Sequence, residues 1–335
     1  MLQILARLAV TAVILAPCAA IADPIKLKFA FFTSDRSMVY LSSVKPFVDA
    51  VNAQARGLVE IETFPSGALG KDQLRQAQMV LDGAADFAYV VPGMTPERFP
   101  DNGVIELPGL YRDLRETTLT FTRLIAANRL KGYGDYFVIG AFASAPEIIH
   151  TRPPIASLAD LKGMKIRVNN LIEAATIERL GMIPAVIPVN QVVEEISSGK
   201  IDGAAVPEAM LIEFGIGRIA TYHYLAKLGS APLVVLMNRK KFESLPEPAR
   251  TLIRKYSGEW AAERFIEVYG AANSKVLEQL KSEPKRKVIV PSAADLEKIK
   301  VADQAVIDEF VARSPHNGKL LQFAKEEVAK LRSSE

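Results

Sequence analysis

Strand-like and helix-like patterns alternate along this chain at short intervals, and the alternation limits the folds that are open to it. Leu27, Phe29 and Phe31 follow the two-residue period of a strand. A helical periodicity covers residues 39–51, and residues 59–64 again have a strand pattern. Because short strands separated by helices form largely parallel sheets, this order predicts an α/β fold.

The same order of elements begins again near residue 164. Strand and helix patterns alternate there over 164–168, 171–180, 185–187, 191–198 and 201–206. The segments 81–88 and 198–205 also match in detail, since each has a helix end, a glycine, two residues, an aspartate and then a strand. A glycine after a helix suits the left-handed cap conformation. The match indicates either an internal repeat, one copy in each of two lobes, or only the usual chemistry of such turns.

A third unit follows, with a strand over 232–238 and a helical pattern from Pro246 to about Leu280. A helix of roughly 35 residues would be ~50 Å long, which exceeds one small lobe. We therefore predict a long helix that spans both lobes, followed by a strand over 287–290 and a closing amphipathic helix. The predicted lobes are 23–145 with 233–270, and 146–232 with 271–335.

The first 22 residues have the features of a secretory signal peptide. Arg7 is their only charged side chain, residues 8–15 are almost entirely apolar, and Ala20-Ile21-Ala22 precedes Asp23. The alternative is a membrane anchor, but the apolar run is shorter than the roughly 20 residues of a spanning helix. We predict cleavage before Asp23 and a periplasmic mature protein.

Charge and cysteine content exclude further classes. The chain has 41 basic and 38 acidic residues, so loss of Arg7 leaves a net charge of about +2, and its cations are not clustered as nucleic-acid binding requires. Cys18 is the only cysteine and would leave with the signal peptide, so no disulfide is expected. The segment before Cys18 resembles a lipoprotein cleavage site in part, but Pro17 stands where Gly or Ala is usual, and lipidation is not predicted.

Patterns of catalysis are weak in this sequence. His150, His223 and His316 lie far apart along the chain without the spacing of metal ligands. The segment 215–220 fits the dinucleotide pattern G-x-G-x-x-A, but it does not follow a convincing strand. We predict a protein that is not an enzyme, with no catalytic residue, metal or cofactor. A secreted hydrolase or lyase is the alternative, which turnover of a bound compound would reveal.

Arg167 is the most informative candidate for binding. It lies near the carboxyl end of the strand 164–168, on the face opposite Ile166 and Val168. In open α/β sheets that edge faces the ligand crevice, and a guanidinium offers two parallel donors to a carboxylate. The alternative is an internal salt bridge.

Several motifs resemble those of TRAP-transporter solute-binding proteins of the DctP type. They occur in the family's order over essentially the whole chain after residue 22, and they are 64–70, Gln78, 83–86, 158–168, Gly181 with Pro184, 199–203, and 237–238 with 245–246.

This resemblance implies a two-lobed periplasmic binding protein fold with a long helix that braces both lobes. It also implies that Arg167 holds the carboxylate of a small organic acid, with Asn170 beside it. The partner would be a membrane permease driven by an ion gradient. A periplasmic sensor that presents its ligand to a receptor is an alternative that the sequence does not separate.

The chain departs from the family pattern at three positions. Many relatives have a second arginine near Glu147, an aromatic residue near Val189 and an asparagine near Val206. Glu147 could accept a hydrogen bond from a hydroxyl, ammonium or imidazolium group of the ligand, or it could pair with Arg152 or Arg167. Glu208 is a similar candidate. These departures favour a monocarboxylate with an apolar, aromatic or cationic remainder over a dicarboxylate or a sialic acid.

Further candidates for the ligand site follow from position alone, because each lies at or just beyond the end of a predicted strand or in the loop after it. Each of them could equally serve in core packing. They are Phe32, Ser34, Tyr89, Val91, Pro207, Phe214 and Tyr222.

Overall fold

The computed structural model describes residues 23–334. The predicted signal peptide and Cys18 lie outside the described residues. The strands are β1 (Ile25–Ala30), β2 (Val59–Phe64), β3 (Phe87–Val90), β4 (Tyr136–Ala143), β5 (Ile148–Thr151), β6 (Lys165–Val168), β7 (Ile183–Val186), β8 (Gly203–Val206), β9 (Tyr222–Tyr224), β10 (Pro232–Asn238) and β11 (Lys287–Ile289).

The α-helices are α1 (Lys45–Gln54), α2 (Gln76–Leu81), α3 (Gly103–Glu106), α4 (Leu114–Ala126), α5 (Leu171–Arg179), α6 (Val192–Ser197), α7 (Glu208–Glu213), α8 (Arg239–Ser244), α9 (Glu247–Lys255), α10 (Glu259–Ser282), α11 (Ala293–Ala312) and α12 (Pro315–Ser333). Short 3-10 turns cover Gln73–Arg75, Pro92–Met94, Leu158–Leu161, Val189–Gln191 and Ile216–Arg218, and a π-helical turn covers Tyr40–Val44. Within residues 23–334, every helix is too short or too polar to cross a bilayer.

Two separate sheets define two lobes. The first sheet has the order β2-β1-β3-β10-β4, and the second has the order β11-β9-β5-β8-β6-β7. Most neighbouring strands are parallel, but β10 is antiparallel to β3 and β4, and β5 is antiparallel to β8 and β9. Both sheets are covered on two faces; along β10, for example, Leu233, Val235 and Met237 join one apolar core while Val234 and Leu236 join the other. This confirms the predicted two-lobed α/β fold.

The chain passes between the lobes along two paired segments. Residues 144–147 lead from β4 to β5, and residues 225–231 return from β9 to β10. Glu147 N donates to Gly229 O at 3.0 Å, and Ser144 N donates to Ala231 O at 2.8 Å. Gly229 is needed here because a Cβ at this position would lie 2.1 Å from the carbonyl oxygen of Glu106. The crossing therefore packs directly on the end of α3.

The long bracing helix is present, but it is shorter than predicted. The pattern from Pro246 to Leu280 forms two helices, α9 and α10, because Gly258 adopts φ 64° and ψ −129°, a conformation that other residues avoid. The 24 residues of α10 extend ~36 Å. The helix packs on α4 and β4 of the first lobe and on α7 and β11 of the second.

The closing segment is also two helices, since Ser314 caps a new helix at Pro315, which has no N–H to continue the previous one. The last helix, α12, packs on α3 and α4 of the first lobe and on α11. The predicted lobe boundaries stay predictions.

The two matching turns have the same hydrogen bonds. Lys28 N donates to Asp86 Oδ2 at 2.7 Å, and Lys165 N donates to Asp202 Oδ2 at 2.7 Å. Each aspartate N in turn donates to the carbonyl of the same lysine, at 2.9 Å and 2.8 Å. Gly83 and Gly199 both have φ 75° before these turns. Each turn thus ties a helix end to the strand before it, once in each lobe.

Candidate functional site

An enclosed cavity lies between the two lobes, beside the paired crossing segments. The cavity offers about 40 Å³ to the centre of a water molecule. This volume is several times what a single water needs. Seven predicted site residues line it, namely Phe32, Tyr89, Val91, Glu147, Arg167, Val189 and Phe214. The predicted constellation therefore largely converges on one compartment.

The strand β6 explains how Arg167 reaches this cavity. Ile166 and Val168 are buried in the core of the second lobe, so Arg167 points to the other face of the sheet. Its register partners on the neighbouring strands are Ala185 and Ala204. Because both are small, the guanidinium has room to extend over the sheet.

The guanidinium is 1% exposed and held by neutral groups. Nε donates to Ile187 O at 2.9 Å, Nη1 to Ala205 O at 3.2 Å and Nη2 to Asn169 Oδ1 at 3.1 Å. A guanidinium has five N–H donors, so within residues 23–334 these bonds leave one N–H on each terminal nitrogen. None of the ion pairs in the described chain includes Arg167, and the expected alternative of an internal salt bridge is therefore not what holds it.

Two buried carboxyl groups, those of Glu147 and Glu173, interact with Arg167, and a third, that of Glu106, interacts with both of them. Glu147 lies on the crossing segment, Glu173 in the first turn of α5 and Glu106 at the end of α3. Burial raises the pKa of Glu147 well above its ordinary value, raises that of Glu173 to about 7 and raises that of Glu106 to about 8. The carboxyl groups of Glu147 and Glu173 also act on each other, which raises the pKa of Glu147 further and lowers that of Glu173.

The rest of the cavity wall is mainly apolar and aromatic. The rings of Phe32 and Tyr89 contact each other on the side of the first lobe, with centroids 5.7 Å apart. The other apolar lining residues are Val39, Val91, Val189, Met210, Phe214, Ala231 and Leu233. An apolar chamber with one guanidinium suits a ligand that has one carboxylate and an apolar body.

The lobes also bond to each other at the mouth of the cavity. Glu213 Oε2, on α7 of the second lobe, accepts a hydrogen bond of 2.8 Å from Met38 N of the first lobe. Burial raises the pKa of Glu213, and the bond from Met38 opposes this shift. Glu213 also lines the cavity.

Six of the predicted binding residues do not line this cavity, and one of them, Tyr222, lies on β9. Ser34 lies in an outer groove next to it, and Glu208 lines a separate pocket with Lys227. Asn170 caps α5, where its Oδ1 accepts from Glu173 N at 2.8 Å. Val206 is packed in the core of the second lobe, and Pro207 precedes α7. Strand ends predicted the region of the site, but they did not predict which side chains turn inward.

Other cavity residues were missed in the sequence. Asn169 bonds Arg167, and Gln73 and Ser144 line the wall. Asn169 lies two residues after Arg167. The two-residue period of β6 could therefore have predicted that both side chains point to the same side of the sheet. Glu173 and Gln73 lie on helical segments, where an acidic or amide residue is usually solvated, so only the packing identifies them. The ligand-binding roles of all these residues stay predictions.

Two histidines that are far apart in the sequence are in contact. His150 Nδ1 lies 2.8 Å from His223 Nδ1, between the antiparallel strands β5 and β9. Burial lowers the pKa of both rings, that of His223 to about 4. Over residues 23–334, no cluster of three or more His, Cys, Asp or Glu side chains is arranged to hold a metal ion.

Two α/β lobes that close over a buried chamber define a binding protein of the periplasmic type. The chain belongs to the bacterial extracellular solute-binding protein family 7 (DctP), whose model matches residues 29–314.

Individual relatives are distant in sequence but similar over their full length. The chain is 24% identical to the 2,3-diketo-L-gulonate-binding periplasmic protein YiaO of Escherichia coli, over 90% of this chain and 91% of that one. It is 27% identical, with a TM-score of 0.85, to a marine metagenome TRAP solute binding protein specific for aromatic acid ligands, solved with metahydroxyphenylacetate; the match covers 91% of this chain and 99% of that one. A TRAP solute binding protein from Rhodoferax ferrireducens, solved with benzoate, is 25% identical with a TM-score of 0.83, over 92% and 99%.

Proposed function

We propose that this protein captures an aromatic monocarboxylate between its lobes and delivers it to a membrane permease of the TRAP type. The observation that carries the proposal is the buried guanidinium of Arg167, which faces an apolar chamber and forms no ion pair with any residue of the described chain. A buried guanidinium that makes no direct ion pair is costly, and the carboxylate of a ligand would supply a partner in contact with it.

The aromatic remainder is supported by the wall of the chamber and by two relatives. Phe32, Tyr89 and Phe214 provide ring surfaces. Two solved relatives at 27% and 25% identity carry metahydroxyphenylacetate and benzoate, respectively. Sugar acids need many polar partners, whereas apolar and aromatic residues form the larger part of this wall.

The mechanism is binding without catalysis. The ligand would contact both lobes at once, and these contacts favour the closed arrangement over the open one. Family membership supports the permease as the partner. We also propose that residues 1–22 direct export and are removed, which places the mature protein in the periplasm.

Isothermal titration calorimetry with a panel of acids tests the proposal. Benzoate and meta-hydroxyphenylacetate should bind in the micromolar range or tighter, whereas succinate and galacturonate should bind at least tenfold more weakly. The second pair has more polar groups than the chamber can satisfy, which costs binding energy. Preferred binding of succinate or galacturonate would contradict the assignment to aromatic monocarboxylates.

Delivery needs a separate measurement. Proteoliposomes that contain the cognate permease should accumulate radiolabelled benzoate only when the binding protein is added. Equal uptake without the binding protein would contradict the proposed role as the donor to the permease.

A further inference from the structure

The charges around Arg167 do not balance, and the imbalance has a consequence for binding. One guanidinium and three carboxyl groups, those of Glu106, Glu147 and Glu173, are buried together at the junction of the lobes. If every group were ionised, the cluster would carry one positive and three negative charges. Burial of unpaired charges is strongly unfavourable, so some of the carboxyl groups must hold protons.

Two buried oxygens without a donor in the described chain identify the pair that shares a proton. Two neighbouring carboxyl groups can hydrogen-bond only when one of them is protonated, and Glu147 and Glu173 are close enough for each to shift the pKa of the other. Glu147 Oε2 and Glu173 Oε1 are sealed from solvent and accept no hydrogen bond from a donor group in residues 23–334. The second oxygen of Glu173 accepts from Asn169 N at 2.8 Å, which fixes its side chain.

The ligand-free protein therefore uses this pair as the counter-ion of Arg167. The negative charge that remains on Glu147 and Glu173 stabilises the charged form of the guanidinium. In return, Arg167 lowers the pKa values of the two carboxyl groups. A carboxylate that enters the chamber and binds Arg167 takes over this role. The pair then loses its favourable cation and gains a neighbouring anion, and both changes favour protonation.

We propose that the Glu147–Glu173 pair takes up one proton from solvent when an organic acid anion binds Arg167, so that the protein captures the anion and a proton together. This rests on the proposed function, because it requires a carboxylate ligand in the chamber. The pair also excludes a second carboxylate on the ligand, since another buried anion would need a further proton.

Other charged or titratable groups face the pair from the surrounding elements. They are Arg167 from β6, Glu106 from α3, Tyr269 from α10, Tyr89 from β3 and Glu213 from α7. Both tyrosines are buried, and burial raises their pKa, so they stay neutral. Glu213 is committed to Met38 N across the mouth. Among these groups, Glu106 alone competes with the pair for the proton that is taken up on binding.

The direction of the pH dependence follows from this linkage. Below a pH of about 7 the pair already holds two protons and is neutral before the ligand arrives, so affinity is independent of pH. Above a pH of about 7 the second proton must be taken from solvent, and the dissociation constant rises by up to about tenfold per pH unit, the limit for one proton.

Calorimetry on the unaltered protein is the primary test. Benzoate and meta-hydroxyphenylacetate are titrated at pH 6, 7, 8 and 9, and at pH 8 in phosphate and in Tris, which differ in their heat of ionisation. We expect uptake approaching one proton per ligand at pH 8 and weaker binding at pH 9 than at pH 6. Identical heats in the two buffers and a flat affinity profile would overturn the inference.

Two variants locate the proton. The double variant Glu147→Gln/Glu173→Gln is permanently neutral, and it should bind with the same affinity at pH 6 and pH 9 and take up no proton. Asp303→Asn is the matched control, because burial raises the pKa of Asp303 to about 7 while its side chain lies on α11, outside the cavity. This control should keep the full pH dependence. The inference is wrong if the control loses it, or if the double variant keeps it.

The same data separate the two proposals. If none of the aromatic acids binds even at pH 6, the proposed function fails and the inference fails with it. If they bind at pH 6 with an affinity that stays constant to pH 9, the proposed function stands and only the proton uptake is refuted.

Discussion

Two buried clusters of charge in this protein have opposite designs. On α4, the carboxylate of Glu116 is 1% exposed, and it accepts from Arg332 Nε at 2.7 Å, Arg332 Nη2 at 2.9 Å and the backbone N of Arg112 at 2.7 Å. Between the lobes, Arg167 is equally buried but is bonded to two carbonyls and an amide, with no ion pair to another part of the described chain.

The difference distinguishes structural charge from functional charge. The bonds from Arg332 lower the pKa of Glu116, so its ionised form is favoured in the folded protein and ties α12 to the first lobe. The carboxyl groups near Arg167 have raised pKa values, because burial dominates and their partners do not fully compensate. A cluster that is completed by the protein itself stabilises the fold, whereas an incomplete cluster next to a chamber is suited to a ligand.

The largest expected effect that would sharpen this comparison is the loss of ligand affinity when Arg167 is replaced. The substitution Arg167→Ala should weaken binding of benzoate by about 2–4 kcal/mol, because the carboxylate of the ligand loses a desolvated partner. Titration calorimetry at pH 6 measures the loss.

The control for this substitution is Arg152→Ala. Arg152 also lies in the second lobe and also donates to carbonyl oxygens, those of Ile196 and Ser197. Its removal should leave the affinity for benzoate unchanged. An equal loss of affinity in both variants would mean that Arg167 acts only through the structure of the lobe.

The buried His150–His223 pair should show how much stability a neutral buried cluster loses at low pH. Burial lowers the pKa of His223 to about 4, whereas an unfolded histidine titrates near 6.5. Its contribution to stability is therefore complete above a pH of 6.5 and is lost as the pH falls from 6.5 towards 4, by about 3 kcal/mol in total.

Urea unfolding at pH 7 and at pH 5 measures this loss. The variant His223→Gln should lose less stability over that interval than the unaltered protein. The variant His316→Gln is the control, because His316 is partly exposed on α12 beside Asp101. If His223→Gln and the unaltered protein respond alike, the pair does not limit stability in acid.

The Glu116–Arg332 pair gives the third test. The substitution Arg332→Ala should lower the free energy of unfolding by about 2 kcal/mol, because Glu116 loses two charge-assisted hydrogen bonds while it stays buried. Arg332 is about half exposed, which keeps the expected loss below that of a fully buried pair. Urea unfolding measures the loss, and benzoate affinity should not change. A drop in affinity without a drop in stability would remove the distinction between the two clusters.

Most of the fold could be predicted from the sequence because its signals are local. The strand 59–64 and the strand 232–238 have the predicted bounds, and the alternation of elements gave the α/β class. The break at Gly258 was missed because a glycine within a helical pattern usually remains helical. Gly258 has a positive φ, and its N donates to Ile139 O at 2.8 Å, a long-range contact that no local pattern reveals.

The site could be predicted only in part. Arg167 and Glu147 were found from strand position and from the family motifs, and both line the cavity. Glu106 and Glu173 were not found, because each is a carboxylate on a helix and the sequence does not show that the crossing segment covers it. Pairing of His150 with His223 was likewise hidden, since it depends on the register of two strands that are 73 residues apart.

The smallest expected effect concerns closure of the lobes over the incomplete cluster. Glu213 accepts from Met38 N across the mouth, so this bond exists only when the lobes are closed. The substitution Glu213→Ala should weaken benzoate binding by about 1 kcal/mol, the usual net value of one hydrogen bond, mainly through faster dissociation. Stopped-flow measurement of dissociation tests this. Ser34→Ala is the control, because Ser34 lies in the outer groove and its hydroxyl bonds only within its own loop in the described structure. A slower association rate with unchanged dissociation would instead indicate that Glu213 steers entry of the ligand and does not hold the closed state.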